Sequence, residues 1–302
     1  MSNSKSISVV MPVGNVDGNL VQQLDALSSQ THPEHWQLVV SVNTPNRQNR
    51  QRVSSLLANR PNLNAILVDS SDHLGASHAR NAGAAVAEGD YLLFCDGDDI
   101  VDPRWVTAMD QALARADAVG GHLEEERLMI DSQQGWRPLA TPCALPRFLG
   151  FPYLITANMG IRADLFAEVG GFDTTLTRGE DIAFSWDLLN LGHKLHYYED
   201  AVVHYRHRKG LWSMMHQHYL YGRGLSEILA RRGLPSGQIA GRVVPKPSKR
   251  SRLALLKPNG QSVIKRSPVH YLRRGSIAVG RVVGLRSTTT RPRADQLSLP
   301  LT

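Results

Sequence analysis

The sequence predicts an α/β domain with a mostly parallel sheet flanked by helices, and three observations carry that expectation. Short β-branched or apolar runs recur through the first hundred residues, each followed by a helix-length segment. The turns between them are brief and rich in Gly, Pro, Asn and Asp, so successive strands return through crossover helices and lie parallel. The last of these runs, Tyr91-Leu92-Leu93-Phe94-Cys95, is apolar throughout, as suits a strand buried on both faces, and it ends in Asp96-Gly97-Asp98-Asp99. Sheets of this class bind ligands at the carboxyl ends of their strands, which is where these acids fall.

Taken in order, Ile7–Val13 is the first strand, with Pro12 near its end and a Gly14-Asn15 turn after it. Asn19 is placed to cap a helix through Leu20, Leu24 and Leu27, and His32-Pro33 stops it. Trp36–Val42 is the second strand, Asn46–Arg60 a polar helix, and Ala65–Asp69 the third strand. A loop with His73 and Gly75 leads to a small-residue helix, Ala76–Ala87, and then to the acidic strand. Asp102-Pro103 supplies the cap and first position of a helix to about Ala116. Beyond Gly120 the rhythm breaks, and residues 122–150 read as an acidic, loop-rich excursion whose Glu124-Glu125-Glu126 form a solvated face. Leu154–Arg162 is apolar around Asn158, and Ala163–Val169 is a short helix ended by Gly170-Gly171. Gly179-Glu180-Asp181 opens a helix that Gly192 ends; Lys194–Tyr198 and Ala201–Arg206 read as two short strands, the second carrying His204.

A chain of 302 residues, 42% hydrophobic, can bury a full core in one large domain or two modest ones. Its net charge of +7 is unevenly spread, since from Gly241 onward 14 Lys/Arg face a single acid, Asp295. The body before it is mildly acidic, which argues against a nucleic-acid-binding face there and makes the tail a polyanion-seeking segment. Cys95 in the buried strand and Cys143 in a Pro-flanked loop give no disulfide framework, and Cys95 reads as a small buried hydrophobe. No stretch approaches the roughly 18 apolar residues of a membrane span. With no cleavage-site pattern near the start, a cytoplasmic placement is expected.

The chemistry concentrates in two acidic clusters. Three carboxylates within four positions repel one another, so Asp96, Asp98 and Asp99 make best sense around a hard cation such as Mg²⁺ or Mn²⁺, which in turn holds phosphate. Glu180 and Asp181, at a helix start, can supply a base. The alternative for the first cluster is a polar loop whose Asp99 or Asp102 caps the next helix, and Glu180 or Asp181 could equally be a capping carboxylate with no chemistry.

Together these residues carry a resemblance. Ile7–Val13, Gly75-Ala76-Ser77-His78-Ala79-Arg80-Asn81-Ala82-Gly83, Gly89-Asp90-Tyr91 running into Asp96-Gly97-Asp98-Asp99, Gly170-Gly171-Phe172-Asp173 and Gly179-Glu180-Asp181 resemble family 2 glycosyltransferases of the GT-A fold, over about residues 5–210. The resemblance implies a Rossmann-like GT-A domain at 1–234, its nucleotide-sugar half about 1–121 and its acceptor half about 122–234, with a basic tail at 235–302. It implies inverting sugar transfer from a UDP, GDP or dTDP sugar, assisted by Mg²⁺ or Mn²⁺. It assigns Asp96 to ribose, metal and diphosphate, Asp98 to the metal, Asp181 to the base with Glu180 second, and His204 to metal or phosphate. It assigns Arg80 to the donor side and Asn158 to the loop under the donor sugar. One motif departs from the family: the second strand ends in Ser41-Val42-Asn43-Thr44, without the acid that reads the nucleobase. Asn43 can offer an amide instead, Asp69 is a substitute contact, and Pro12 keeps the backbone close to the nucleotide.

In the tail, Lys246–Arg252 reads as a linker. Tyr271–Leu285 sets Leu272, Val279, Val282 and Val283 near one helical face amid arginines, so it is either a basic amphipathic helix on an anionic membrane surface or a solvated disordered segment. Two other functions compete. A nucleotidyltransferase would carry a Gly-rich basic loop after its first strand, which Val13-Gly14-Asn15-Val16-Asp17 lacks; a silent sugar-nucleotide-binding relative would have no need of both acidic motifs.

Overall fold

The computed structural model describes residues 5–130, 143–233 and 268–287. Four strands, β1 (Ile7–Val13), β2 (Gln37–Val42), β3 (Asn64–Asp69) and β4 (Tyr91–Cys95), form the parallel half of an eight-stranded sheet. Past β4 come β9 (Asn158–Arg162), β6 (Ala118–Glu124), β10 (Leu195–His204) and the two-residue β5 (Ile100–Val101). There the sheet is mixed: β9 runs antiparallel to both β4 and β6, whereas β6 and β10 are parallel. A small separate hairpin pairs β7 (Arg147–Phe148) with β8 (Phe151–Pro152).

The alternation of side chains along β1 and β2 divides the core. Val9, Met11, Leu38 and Val40 point to a face covered by α1 (Gly18–Ser28), α2 (Arg47–Ala58) and α4 (Trp105–Leu113). Val10 and Val39 join Leu92, Phe94, Phe166, Phe172 and Phe184 on the other face, under α3 (Ala76–Ala85), α5 (Ala163–Val169) and α6 (Glu180–Asn190). Leu92 and Phe94 face one layer and Leu93 and Cys95 the other, so β4 is buried on both sides, as its unbroken apolar sequence requires. Cys95 is fully buried there.

Several boundaries move for identifiable reasons. Asp17, not Asn19, caps α1: its backbone is extended and its carboxylate accepts from the amides of Asn19 (2.9 Å) and Leu20 (3.3 Å). Asp102 accepts from the Arg104 amide at 3.0 Å and turns the chain before α4, which starts at Trp105. The two short strands expected after Gly192 are one strand, β10, with a register irregularity between Tyr198 and Val202 that absorbs the polar Glu199-Asp200 pair.

Strand β6 replaces the start of the expected excursion. Its Gly120-Gly121 pair looks like a breaker, yet a Cβ on Gly121 would lie 2.2 Å from the Ala201 carbonyl oxygen, so glycine is what lets β10 approach. Glu124 and Glu125 are not a solvated face: Glu125 is buried, and each pairs with a histidine from the segment after β10 or at its end.

Two helices complete the structure. α7 (Leu211–Arg231) and α8 (Pro268–Ser287) lie side by side in the same direction, Tyr219 opposite Gly280 and Arg223 opposite Gly284. A Cβ on Gly222 would sit 2.1 Å from the Ile277 carbonyl oxygen, and one on Gly280 2.0 Å from that of Tyr219. The glycines that weaken an isolated helix thus allow two helix backbones to touch, as small-residue stripes do elsewhere. Ser226 Oγ donates to the Arg281 carbonyl at 3.0 Å across the contact. Among the described residues no helix is long and apolar enough to cross a membrane. The Lys246–Arg252 linker lies outside the described residues.

Candidate active site

The turn that leaves β4 is held by a side chain from another element. Gln23 of α1, fully buried on that helix's apolar face, donates to the Asp96 carbonyl (2.9 Å) and accepts from the Val101 amide (3.0 Å), clamping both ends of residues 96–101. Within the clamp, carboxylate oxygens of Asp96, Asp98 and Asp99 all lie within 4.8 Å of one another. Asp99 is buried; one oxygen accepts from the Arg206 amide at 2.7 Å, and Oδ2 has no hydrogen-bond partner among the described residues. Burial, and then the charge of Asp96, push the Asp98 carboxyl up to about 6; burial and the charge of Asp98 raise Asp99. An orphaned buried carboxylate oxygen beside two further carboxylates fits a divalent cation with oxygen preference.

Arg80 joins this cluster to the second one. Its side chain, on α3 and only 4% exposed, donates to Asp96 Oδ1 (2.6 Å) and to Glu180 Oε1 (3.1 Å). Residues sixteen and a hundred positions away in sequence therefore share one guanidinium. A surface ion pair, the bland alternative for this arginine, is not what the fold builds.

The turn carrying Glu180 and Asp181 is shaped by Gly179, whose φ of 86° is left-handed, and by α7 behind it. A Cβ on Gly179 would meet Ile228 at 2.7 Å, and one on Gly224 would meet the Arg178 carbonyl oxygen at 2.1 Å. Glu227 of α7 accepts from the Thr177 amide and hydroxyl at 2.9 and 2.8 Å, and Arg232 pairs with Asp187 at 2.6 Å. Asp181 accepts from the Ile182 amide at 2.8 Å; burial, then the charge of Glu180, lift its carboxyl to about 7. Its charge in turn helps to raise the phenols of Tyr153 and Tyr221 from their ordinary value, after the larger effect of burial.

The remaining expected residues are placed as follows. Pro12 lies in β1 opposite Ser41, and its carbonyl oxygen would be 3.3 Å from a Cβ on Gly97, so that strand end abuts the acidic turn. Asn43 has both amide atoms engaged, donating to the Ser70 and His73 carbonyls and accepting from the Gly75 amide at 2.8 Å; the side chain ties down the loop after β3. Asp69 ends β3, paired with Arg50 at 2.9 Å. Asn158 is buried beneath the sheet end, accepting from the Trp105 indole (2.8 Å) and donating to the His122 and Ala201 carbonyls (2.9 and 2.8 Å). His204 pairs in strand register with Ile100, next to the carboxylate trio, but its ring is engaged elsewhere: Arg127 donates to its Nε2 at 2.8 Å, which leaves the ring proton on Nδ1 facing Glu124, also at 2.8 Å.

Sequence reasoning missed Gln23, Arg206 and the tyrosines near Asp181. For Gln23 a signal existed: it is a polar residue on the stripe defined by Leu20, Leu24 and Leu27. Nothing local announces Arg206 or Tyr221, whose relevance comes only from where β10 ends and α7 begins.

A parallel half-sheet ending in a carboxylate trio, a mixed second half and a second acidic turn reaching the same arginine define a GT-A glycosyltransferase scaffold. Solved structures agree on the fold. The mannosyltransferase PcManGT from Pyrobaculum calidifontis, in complex with GDP-Man and Mn²⁺, superposes with a TM-score of 0.60 at 16% identity, covering 96% of this chain and 77% of that one. S. aureus TarS 1–349 in complex with UDP-GlcNAc gives 0.53 at 16% identity, covering 93% and 83%. Residues 8–170, more than half of the chain, match Glycosyl transferase family 2, and the chain belongs to that family. Curated relatives include the glycosyltransferase AglE of Haloferax volcanii, 23% identical over 65% of this chain and 65% of its own length. Another, the pre-mycofactocin glycosyltransferase of Mycobacterium tuberculosis, is 25% identical over 66% of this chain and 49% of its own length. The chain thus spans from about half to just under two thirds of these relatives.

Proposed function

We propose that this chain transfers a sugar from a nucleoside-diphosphate donor to an acceptor hydroxyl with inversion at the anomeric carbon. What supports this is the Arg80 bridge, one guanidinium paired with both Asp96 and Glu180 and so linking the Asp96 cluster to the Glu180-Asp181 turn. Asp98 and Asp96 would hold Mg²⁺ or Mn²⁺, with the unpartnered oxygen of Asp99 available to it; when bound, the ion supplies Lewis-acid stabilisation to the leaving diphosphate. Asp181 takes the acceptor proton. A carboxyl near 7 is well matched to that task, because it is substantially ionised at neutral pH yet basic enough to accept a proton in the transition state. Glu180, committed to Arg80, positions the turn instead of competing as base. That PcManGT was solved with GDP-Man and Mn²⁺ and TarS with UDP-GlcNAc supports a nucleotide-sugar donor and a divalent ion for this chain.

The test is a thermal-shift panel of UDP, GDP and dTDP sugars with and without Mn²⁺, followed by product analysis. One nucleotide class should raise the melting temperature, more so with Mn²⁺, and the product should have the anomeric configuration opposite to the donor. Donor binding without transfer to any hydroxyl acceptor, or product of retained configuration, overturns the reading.

Helix α8 turns apolar side chains outward. Leu272, Val279, Val282 and Val283 are exposed beside Arg274 and Arg281, and we assign this face to an anionic lipid surface, which would bring a lipid-linked acceptor within reach. Vesicles containing phosphatidylserine should pellet the full chain in low salt, and a Val279→Asp/Val282→Asp variant should stay in solution. Equal pelleting of both proteins, or equal pelleting on neutral vesicles, sinks the assignment.

A further inference from the structure

A second group of metal-ligating side chains lies outside the acidic cluster, and no part of the sugar-transfer reading uses it. Asp72, in the loop after β3, sits between two histidines: its Oδ2 is 3.0 Å from His73 Nδ1 and its Oδ1 2.9 Å from His78 Nε2. One ligand atom from each of the three falls within 4.8 Å of the others. We propose that Asp72, His73 and His78 form a binding site for a borderline divalent transition metal of the Zn²⁺ type, separate from the hard-cation site at Asp96 and Asp98.

Three observations support the assignment. The ligand set is two imidazoles and one carboxylate, which suits zinc and its neighbours, whereas the Asp96–Asp99 trio offers oxygen alone, which suits magnesium or manganese. The spacing of the rings also fits. Two imidazoles on one tetrahedral zinc, at Zn–N bonds of about 2.0–2.1 Å, place their ring centres roughly 5 Å apart, and those of His73 and His78 are 5.3 Å apart with planes inclined at 56°. Both ring nitrogens already face the Asp72 carboxylate, each donating its N–H to a separate oxygen, so a cation would displace those protons from three groups already in contact instead of gathering scattered ones.

The backbone that brings the three together is fixed. Gly75, at φ 147°, makes the reversal that folds the loop onto the first turn of α3, where His78 is the third residue. Asn43 holds both sides of that reversal, donating to the His73 carbonyl at 2.9 Å and accepting from the Gly75 amide at 2.8 Å. His73 and Asp72 are largely exposed, so a hydrated ion can enter without opening the fold. Three protein ligands leave a fourth position for water. Because Asn43 belongs to the strand ends that would receive the nucleotide, the bound ion would stiffen one wall of that cleft.

The test uses the full chain, stripped of metal and titrated with Zn²⁺ by calorimetry in excess Mg²⁺. One zinc per chain should bind in the micromolar range or tighter, and His73→Ala and His78→Ala should each weaken it at least tenfold. Asp98→Asn should leave it unchanged. Co²⁺ substituted into the wild type should give the visible absorption of a four-coordinate ion, absent from His78→Ala. Because His73 is exposed, its alanine variant keeps the fold, which circular dichroism checks. No zinc bound by the wild type at micromolar concentration overturns the proposal. So does binding unaffected by either histidine substitution, or binding lost in Asp98→Asn.

Discussion

At the scale of single residues, Arg80 and Asp181 divide the labour. Arg80 is buried with two carboxylates on it, so Arg80→Met leaves Asp96 and Glu180 facing each other uncompensated, and removing one partner of a buried ion pair costs about 3–5 kcal/mol. Urea unfolding should show a loss of that order; a change under about 1 kcal/mol would mean the bridge is not formed. Asp181→Asn keeps size and hydrogen bonding but removes the proposed base, so kcat should fall about a hundred- to ten-thousand-fold while donor-induced thermal shift persists. The wild-type rate should rise through an acid limb near pH 7, since only the ionised carboxylate accepts the proton; a profile flat from pH 5 to 8 would rule Asp181 out as base. Both acids were legible in the sequence because Asp-Gly-Asp and Gly-Glu-Asp motifs are contiguous. Arg80 was legible as a neighbour of the acidic strand, but its second partner, Glu180, was not, because a contact between positions a hundred apart has no local trace.

At the scale of elements, the parallel strands announced themselves by β-branched runs between polar helices, and those boundaries fall within a residue or two of the expected ones. Strands β6 and β9 did not. Gly120, Gly121 and Gly160 lower strand propensity and hide the pattern, yet a Cβ would collide with the Ala201 carbonyl at Gly121 and with the Leu145 side chain at Gly120, and would be tightly packed at Gly160. Gly121→Ala should therefore be worse than a typical strand substitution, expected at about 2 kcal/mol or more by denaturant melts, because backbone rather than a flexible side chain must move. The same logic reverses the reading of α8, whose glycines look like helix weakeners and serve as a contact surface. Gly280→Leu should part the two helices and speed proteolysis within 268–287; unchanged digestion would contradict the packing described.

At the scale of the whole molecule, the site stores like charges that the fold alone does not neutralise. Asp98 and Asp181 have folded-state carboxyls raised to about 6 and about 7, above the 3.8 of an unperturbed aspartate. A group raised in this way stabilises the fold fully below its unfolded value, and that contribution is lost as pH rises through the folded one. Metal-free protein should accordingly melt at progressively lower temperature from about pH 4 to about pH 7. Mn²⁺ should restore more of that loss at pH 7 than at pH 5, since a cation competes less well with protons in acid. A melting temperature that climbs across this range, with Mn²⁺ making no difference, would show that these acids are not packed as described.

Helix α7 touches α8 along one side and the Gly179 turn along another, so a single rod joins α8 to the turn that carries Asp181, the proposed base. Shortening the protein before residue 268 would strip the wall on which Gly222 and Ser226 rest, and the disturbance would arrive at Asp181 as a misaligned base. A trimmed enzyme would then turn over slowly even on a freely diffusing acceptor, with its donor affinity intact.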